Sequence, residues 1–107
     1  MIQILVIRTT EEPFLTTVDP TLENLQAFVG GYLEAIGSFD WVMYLDEDGK
    51  SKGKEPNPTA SVLAHRLGWQ GMRAGDFIVG DVIVCGRRGE RETDVPEHVQ
   101  HVLEGMH

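Results

Sequence analysis

Cysteine is nearly absent from this chain of 107 residues, and basic residues are scarce. The single cysteine, Cys85, excludes an internal disulfide and suits a reducing compartment. Nine Lys and Arg residues against 17 Asp and Glu residues give a formal charge of -8. Because affinity for phosphate comes from clustered basic side chains, this charge argues against direct binding to nucleic acid or to an anionic membrane.

Long apolar runs and targeting signals are also missing. No segment approaches the roughly 18 consecutive apolar residues that a membrane-spanning helix needs. The first residues lack the apolar region of a secretory signal. We therefore expect a cytoplasmic protein with no membrane contact.

Recognisable catalytic motifs are absent too. The sequence holds no Gly-x-Ser-x-Gly, no phosphate-binding Walker loop, no dinucleotide fingerprint and no His-Glu-x-x-His. A small enzyme of unknown chemistry stays an alternative, which requires a cleft with at least two titratable groups of shifted pKa. We predict no catalytic residue and no cofactor.

Residues of the types that bind zinc do not have the spacing of a zinc site. His98 and His101 form one close pair, and the other candidates are Cys85, His65 and His107. Structural zinc takes two such pairs from two knuckles, so we predict no metal site.

Five segments have the composition and alternation of β-strands. They are residues 1–7, 14–18, 32–36, 41–45 and 77–85. The first has one polar residue in seven, which predicts a strand covered on both faces. Gly80-Asp81 interrupts the last one and indicates a bulge, a kink or a tight turn between two short strands.

Three segments have the apolar spacing of amphipathic helices. The first begins at Asp19-Pro20 and ends at Gly30-Gly31, where glycine accepts a left-handed cap. The second begins at Asn57-Pro58. The third begins near Asp94, with Glu97 completing a variant of the capping box. Residues 50–58 are expected to be an exposed loop, and 87–91 a charged turn.

The element order β-β-α-β-β-α-β-α predicts a single α+β domain over residues 1–107. Its sheet has about five antiparallel or mixed strands, with two to three helices packed on one face. Gly30 and Gly31 are the predicted structural corner between the first helix and a strand that Tyr32 begins. Residues 87–107 form the charged turn and the last helix.

Arginines of the C-terminal half are the best candidates for a binding site. Arg suits an anion because its planar fork binds two oxygens at once. If the fold brings the arginines together, an anion pocket forms, to which the start of the second helix adds N–H donors. The candidate ligand-binding residues are Asn57, Thr59, Arg66, Arg73, Gly80, Arg87 and Arg88. The alternative is a set of scattered surface arginines, paired with acidic neighbours.

Several segments together resemble an uncharacterised family, domain of unknown function 3846. They are residues 21–36 with their Gly-Gly-Tyr, Asp46-Glu-Asp-Gly49, Asn57 with Thr59-Ala60 in the inverse of the family's order, and Gly80-Asp-Val-Ile-Val-Cys-Gly86. The resemblance covers about residues 1–86. It implies a soluble accessory protein of unknown activity, of bacterial (often actinobacterial) or bacteriophage origin, and it brings no catalytic residues.

Two functions remain open at this point. The first is a non-enzymatic binding module for a small anionic ligand or a host protein, with a concave site near Asn57, Arg66 and Gly80. The second is an acidic DNA mimic that binds a host DNA-binding protein in an anti-defence role. The mimic requires aligned carboxylates, whereas the acidic residues here are spread along the chain. A homo-oligomer is a further possibility, since an exposed apolar patch also serves as a dimer face.

Overall fold

Pairs of strands alternate with helices along the chain in the computed structural model, which describes residues 1–106. The strands are β1 Ile2–Ile7, β2 Phe14–Val18, β3 Leu33–Gly37, β4 Trp41–Asp46, β5 Val82–Arg88 and β6 Arg91–Thr93. The helices are α1 Leu22–Val29, α2 Pro58–Arg66 and α3 Glu97–Glu104, with a short 3-10 helix at Gly71–Ala74. The predicted α+β class is therefore confirmed. Within residues 1–106, no helix has the length and apolar character needed to cross a membrane.

The strands form one sheet in the order β2-β1-β5-β4-β3, in which every neighbouring pair is antiparallel. β6 pairs with the far end of β5. β5 is the central strand of this order, and the first strand of the chain, β1, pairs directly with it, with Leu5 opposite Val84. β2 and β3 are left as the two edges.

Each face of the sheet is covered by its own helices. Leu5 and Ile7 of β1 join the core under α2 and α3, which we call the α2–α3 face. Ile4 and Val6 join the core under α1, on the α1 face. The double coverage of β1 is confirmed, but the expectation that all helices lie on one face is wrong. A strand with consecutive buried residues has two apolar faces, and each of them needs cover.

Two of the predicted helix boundaries agree with the structure. α1 ends at Gly30, whose φ of 80° is left-handed, and α2 begins after Asn57, whose side chain accepts a hydrogen bond from the N–H of Ala60. The other starts are different. Thr21 caps α1 in place of Asp19, and α3 begins after Pro96 because the Asp94 carboxylate accepts the N–H of Gln3 at 2.8 Å instead.

The region after residue 77 differs most from the prediction. β5 begins at Val82, and Gly80, with a φ of 77°, bends the chain before it. The predicted charged turn at 87–91 is instead a hairpin, in which β5 continues through Arg88 and β6 follows. The opposite charges of Arg87 and Glu92 face each other across this hairpin, which favours the pairing.

Candidate functional site

Asn57 and Gly80, two predicted ligand contacts, meet in the interior. The side chain of Asn57 is buried, and its Nδ2 donates to the carbonyl of Ile7 at 3.0 Å and to that of Gly80 at 2.9 Å. Its Oδ1 accepts the N–H of Ala60 at 3.1 Å. The amide thus joins β1, the bend before β5 and the start of α2, and both of its N–H donors are used within the protein.

The predicted arginines lie on separate elements. Arg66 ends α2, about 13 Å along the helix axis from its start. Its guanidinium contacts the carbonyl of Gly105, after α3, at 3.5 Å. Arg87 and Arg88 are far along β5, about 16–20 Å from Val82 at 3.3 Å per residue. These three arginines therefore lie away from Asn57 and Gly80.

The remaining predicted contacts are also dispersed. Thr59 is half-buried in the first turn of α2, and Arg73 is exposed in the 3-10 helix. Arg87 lines a cavity of about 70 Å³ beside Tyr44, whose hydroxyl donates to Glu92 at 2.8 Å. Burial raises the pKa of Tyr44, and the hydrogen bond and charge of Glu92 raise it further. An arginine pocket of the predicted composition is not assembled.

The Gly30-Gly31 corner has the predicted backbone role and one further contact. A Cβ on Gly31 would lie 2.5 Å from a carboxylate oxygen of Asp46, so only glycine fits there without a shift. Tyr32 is exposed, and β3 begins one residue later. The carbonyl of Tyr32 accepts the N–H of Glu47 at 2.9 Å, which ties the corner to the end of β4.

The buried carboxylate of Asp46 is the centre of an ionic cluster with two partly exposed lysines, which we call the Asp46 cluster. The side chain is 1% exposed and lies 2.8 Å from the Nζ of Lys52 and 2.7 Å from the Nζ of Lys54. Lys54 also donates to the carbonyl of Val29, in the last turn of α1, at 2.9 Å. Lys54 thus links the carboxylate at the end of β4 to the last turn of α1, and the cluster holds the end of α1 onto the sheet.

The acidity of Asp46 reflects these contacts. Burial alone would raise its pKa, but hydrogen bonds from Lys52, Lys54 and the backbone N–H of Asp48 outweigh burial. The net effect lowers the pKa of Asp46 from 3.8 to about 2. Asp46 therefore stays ionised at neutral pH, and it is an anchor for two lysines rather than a proton donor.

A second group of carboxylates surrounds an open cavity of about 140 Å³, which we call the acidic cavity. Its wall is formed by four segments, which are β3, the end of β4 with the turn after it, Trp69 after α2, and the segment before β5. The polar residues that line it are Glu34, Glu47, Asp76, Lys50 and Asp46, which it shares with the Asp46 cluster, and the apolar ones include Ile36, Leu45, Trp69 and Phe77. The predicted exposed loop thus contributes to two polar assemblies, since Lys52 and Lys54 belong to the Asp46 cluster.

Lys50 is the cation of the acidic cavity. Its ammonium forms an ion pair with Asp76 and lies 4.9 Å from the centre of the Phe77 ring. Within residues 1–106, Glu34 and Glu47 make no ion pair. The cavity therefore keeps excess negative charge beside aromatic and aliphatic surface, which suits an organic cation on an apolar stem.

The structure also locates the other chemically reactive groups. In the described part of the chain, no three His, Cys, Asp or Glu side chains form a group able to hold a metal ion. His98 lies 3.6 Å from Asp40, and His107 lies outside the described residues. Burial, with a smaller contribution from the charge of Glu92, raises the pKa of Cys85 to about 12, so its thiol is not ionised at neutral pH.

Sequence reasoning did not find the acidic cavity because four separate segments build it. One signal was available. Glu34 and Ile36 are two residues apart in a strand, so they share a face. Nothing in the linear spacing places Asp76 or Trp69 opposite that face.

The structure is a small α+β domain with helices on both faces of an antiparallel sheet, and it carries the acidic cavity at one end of β3 and β4. The chain belongs to the family described as Domain of unknown function (DUF3846), whose model matches residues 2–107. This confirms the resemblance and extends it beyond residue 86 into α3. Neither the curated proteins nor the solved structures yield a match.

The segments that carry the family resemblance meet at one end of the sheet. Gly31 touches Asp46, and Asn57 binds the carbonyl of Gly80. Lys54 packs against Gly80, since a Cβ there would lie 2.8 Å from the Lys54 side chain. We infer a structural role for these segments in holding α1, α2 and β5 together.

Proposed function

We propose that this protein is a non-enzymatic binding module that captures a basic side chain of a partner protein in the acidic cavity. The observation that carries the proposal is the charge balance there. Asp76 has Lys50 as its partner, whereas Glu34 and Glu47 have none within residues 1–106. A partner's lysine or arginine supplies the missing positive charge.

Lys50 illustrates the chemistry that the cavity accepts. Its ammonium contacts a carboxylate and lies over an aromatic ring. Both members of its ion pair are about half exposed, at 53% and 48%. Exposed ion pairs contribute only about 0–1 kcal/mol, so an incoming cation can displace Lys50 at little cost.

The state of the reactive groups supports a binding role over catalysis. The Asp46 carboxylate is occupied by two lysines, the Tyr44 hydroxyl is bound to Glu92, and the Cys85 thiol is buried. The pKa of each of these three groups is shifted, and none of the three is free to attack or protonate a substrate.

Two other partners have less support. A small anion lacks a convergent arginine site, since Arg66, Arg73 and the Arg87-Arg88 pair lie on three elements. An acidic DNA mimic, which occupies a host DNA-binding protein, is favoured by the charge of -8. Lys52 and Lys54 fold back onto the Asp46 carboxylate, which counts against a phosphate-like row of free carboxylates in residues 46–54.

The experiment is an NMR titration of the ¹⁵N-labelled protein with N-acetyl-lysine amide. We expect chemical-shift changes at the Trp69 indole and at the Phe77 and Glu47 amides, and we expect added salt to weaken binding. N-acetyl-glutamine amide is the neutral control. The double variant Glu34→Gln, Glu47→Gln should weaken binding about fivefold or more, and Lys50→Ala should strengthen it.

A matched double variant keeps the total charge change equal. Glu23→Gln, Glu104→Gln removes two exposed carboxylates from α1 and α3, neither of which lines the cavity. Equal weakening by both double variants would mean that overall charge, rather than the cavity, attracts the cation. Tighter binding of inorganic phosphate than of the lysine probe would favour the anionic ligand instead.

The cellular setting is part of the proposal. We place the protein in the cytoplasm of a bacterium, as an accessory protein of bacterial, often actinobacterial, or bacteriophage origin. The family resemblance and the single reduced cysteine support this setting. Fractionation of a native host, followed by detection with an antibody, tests the compartment, and recovery outside the cytoplasm would contradict it.

A further inference from the structure

We propose that the partner is an extended peptide segment that carries a basic residue and an apolar residue separated by one residue. This inference rests on the proposed function, because its basic residue is the one that enters the acidic cavity. The apolar residue enters a second, neighbouring groove. The structure thus points to a recognition surface with two subsites.

The second subsite is an apolar surface groove of about 380 Å³. It lies between the start of α2 and the 3-10 helix. Its lining includes Pro56, Pro58, Val62, Met72, Phe77 and Ile78. Met72 is 38% exposed and Phe77 is 48% exposed, although both are large apolar side chains. A methionine wall adapts to ligands of different shape, because its side chain is unbranched and flexible.

Phe77 and Ile78 line both the groove and the acidic cavity, so the two subsites share a wall. The ammonium of Lys50 lies over the Phe77 ring, which marks where a cation sits relative to that wall. In an extended peptide, residues i and i+2 project to the same side about 6–7 Å apart. This spacing lets one side chain lie on each side of a phenylalanine.

Charge complementarity selects this occupant over others. Glu34 and Glu47 of the adjoining cavity, which make no ion pair within residues 1–106, favour a positive group next to the apolar one. A second copy of this chain also carries a charge of -8, which opposes self-association at this surface. An anionic lipid surface is repelled in the same way.

Blocked tripeptides test the two subsites by NMR titration. The bipartite probes are acetyl-Lys-Ser-Leu-amide and its reverse, acetyl-Leu-Ser-Lys-amide, and the cation-only probe is acetyl-Lys-Ser-Ser-amide. We expect one bipartite probe to bind about tenfold more tightly than the cation-only probe, because the leucine leaves water. Its binding should shift the Val62 and Met72 signals. The spacing control, acetyl-Lys-Leu-Ser-amide, should lack most of this gain.

Variants assign the gain to the groove. Met72→Gln keeps the length of an exposed side chain and should abolish the gain from leucine, without changing the affinity of the cation-only probe. Leu22→Gln is the matched control, because Leu22 is 62% exposed and begins α1 on the opposite face of the sheet. It should leave the gain intact.

The outcomes separate this inference from the proposed function. If the cation-only probe binds the cavity but leucine adds nothing, or if the gain survives Met72→Gln, the two-subsite inference is overturned and the cation site stands. If the cation-only probe does not bind at all, both fail. Sedimentation that shows a dimer, with Met72 and Phe77 signals that move on dilution, would identify a second copy as the occupant and overturn the inference.

Discussion

Lys50 and Lys52 lie two residues apart after β4, yet they belong to different assemblies. Lys52, together with Lys54, binds the single buried carboxylate of Asp46. Lys50 lies among the carboxylates of the acidic cavity, where it pairs with Asp76 alone. Two cations for one carboxylate make a closed structural cluster. One cation for several carboxylates leaves charge available to a partner.

Burial separates the two assemblies energetically. Asp46 is buried, so removing a counter-charge from it is destabilising even though its lysines are 45% and 24% exposed, whereas the half-exposed Lys50–Asp76 pair contributes little. Mutation of a buried group whose hydrogen bonds or charges are all paired within the fold should therefore lower the free energy of unfolding. Mutation of the charged residues of the acidic cavity should instead change the affinity for a cationic partner.

Asn57→Ala should give the largest loss of stability, because the buried side chain of Asn57 makes three hydrogen bonds to the backbone. The change leaves the carbonyls of Ile7 and Gly80 and the N–H of Ala60 without their partner. We expect the free energy of unfolding in urea to fall by about 3–4 kcal/mol. Asn24→Ala, at an exposed asparagine, should change it by about 1 kcal/mol or less. A small effect of Asn57→Ala would mean that Asn57 is free for another role.

Asp46→Asn should be next in size, with a loss of about 2–3 kcal/mol at neutral pH because both lysines lose their counter-charge. Asp48→Asn on the same turn is the matched control and should change stability by less than about 0.5 kcal/mol. Chemical unfolding of both variants measures the difference. Equal losses would show that the turn, rather than the ion pairs, supports α1.

The same cluster should make stability depend on acid pH. The folded pKa of Asp46, about 2, lies below the ordinary value of 3.8. The contribution is therefore complete above about pH 4 and is lost as the pH falls through 2, with a size of about 2 kcal/mol. Asp46→Asn should lack this contribution, so the difference between wild type and variant should narrow over that interval.

Gly31→Ala should destabilise the protein by about 2 kcal/mol, because the new methyl group overlaps the Asp46 carboxylate. Gly53→Ala separates collision from backbone strain. Gly53 has a φ of +71° but no neighbour within 4 Å of its added Cβ, so its replacement should cost about 1 kcal/mol. Thermal unfolding ranks the two variants. A lower cost for Gly31→Ala would indicate that the Asp46 cluster moves aside easily.

Lys50→Ala should have the smallest effect on stability, less than about 0.5 kcal/mol, since its ion pair is exposed. Lys54→Ala is the matched lysine, because its Nζ binds both Asp46 and the carbonyl of Val29. It should cost about 1–2 kcal/mol in urea unfolding. If the two lysines contribute equally to stability, the contrast between the two assemblies disappears.

Local chemistry explains which parts of the fold were predictable. Gly30 and Asn57 end and begin helices through their own backbone and side chain, so a short window is sufficient. Asp19 and Asp94 look equally good as caps, but Thr21 caps α1 and Asp94 binds Gln3, 91 residues away along the chain. The residues on either side of Asp94 give no indication of a contact so distant along the chain.

The site was less predictable than the fold for the same reason. Arginine enrichment describes composition, and it does not say that Arg66 lies at one end of α2 and Asn57 at the other. The sixth strand was missed because charged residues at 87–93 are typical of a turn, while the pairing of Arg87 with Glu92 is a tertiary feature. The acidic cavity requires the sheet order itself, which brings β3 beside β4 and the segment before β5.

The position of β1 has a consequence for how the chain acquires its structure. β1 lies next to β5, whose residues are synthesised some 75 positions later, as the register Ile7↔Val82 requires. Before then, β1 has only its hairpin with β2, and an isolated hairpin is marginal in water. During translation the N-terminal half therefore cannot complete its sheet until β5 has been synthesised. Once β5 emerges from the ribosome, we expect folding times of about milliseconds to seconds, which are typical of such non-local topologies.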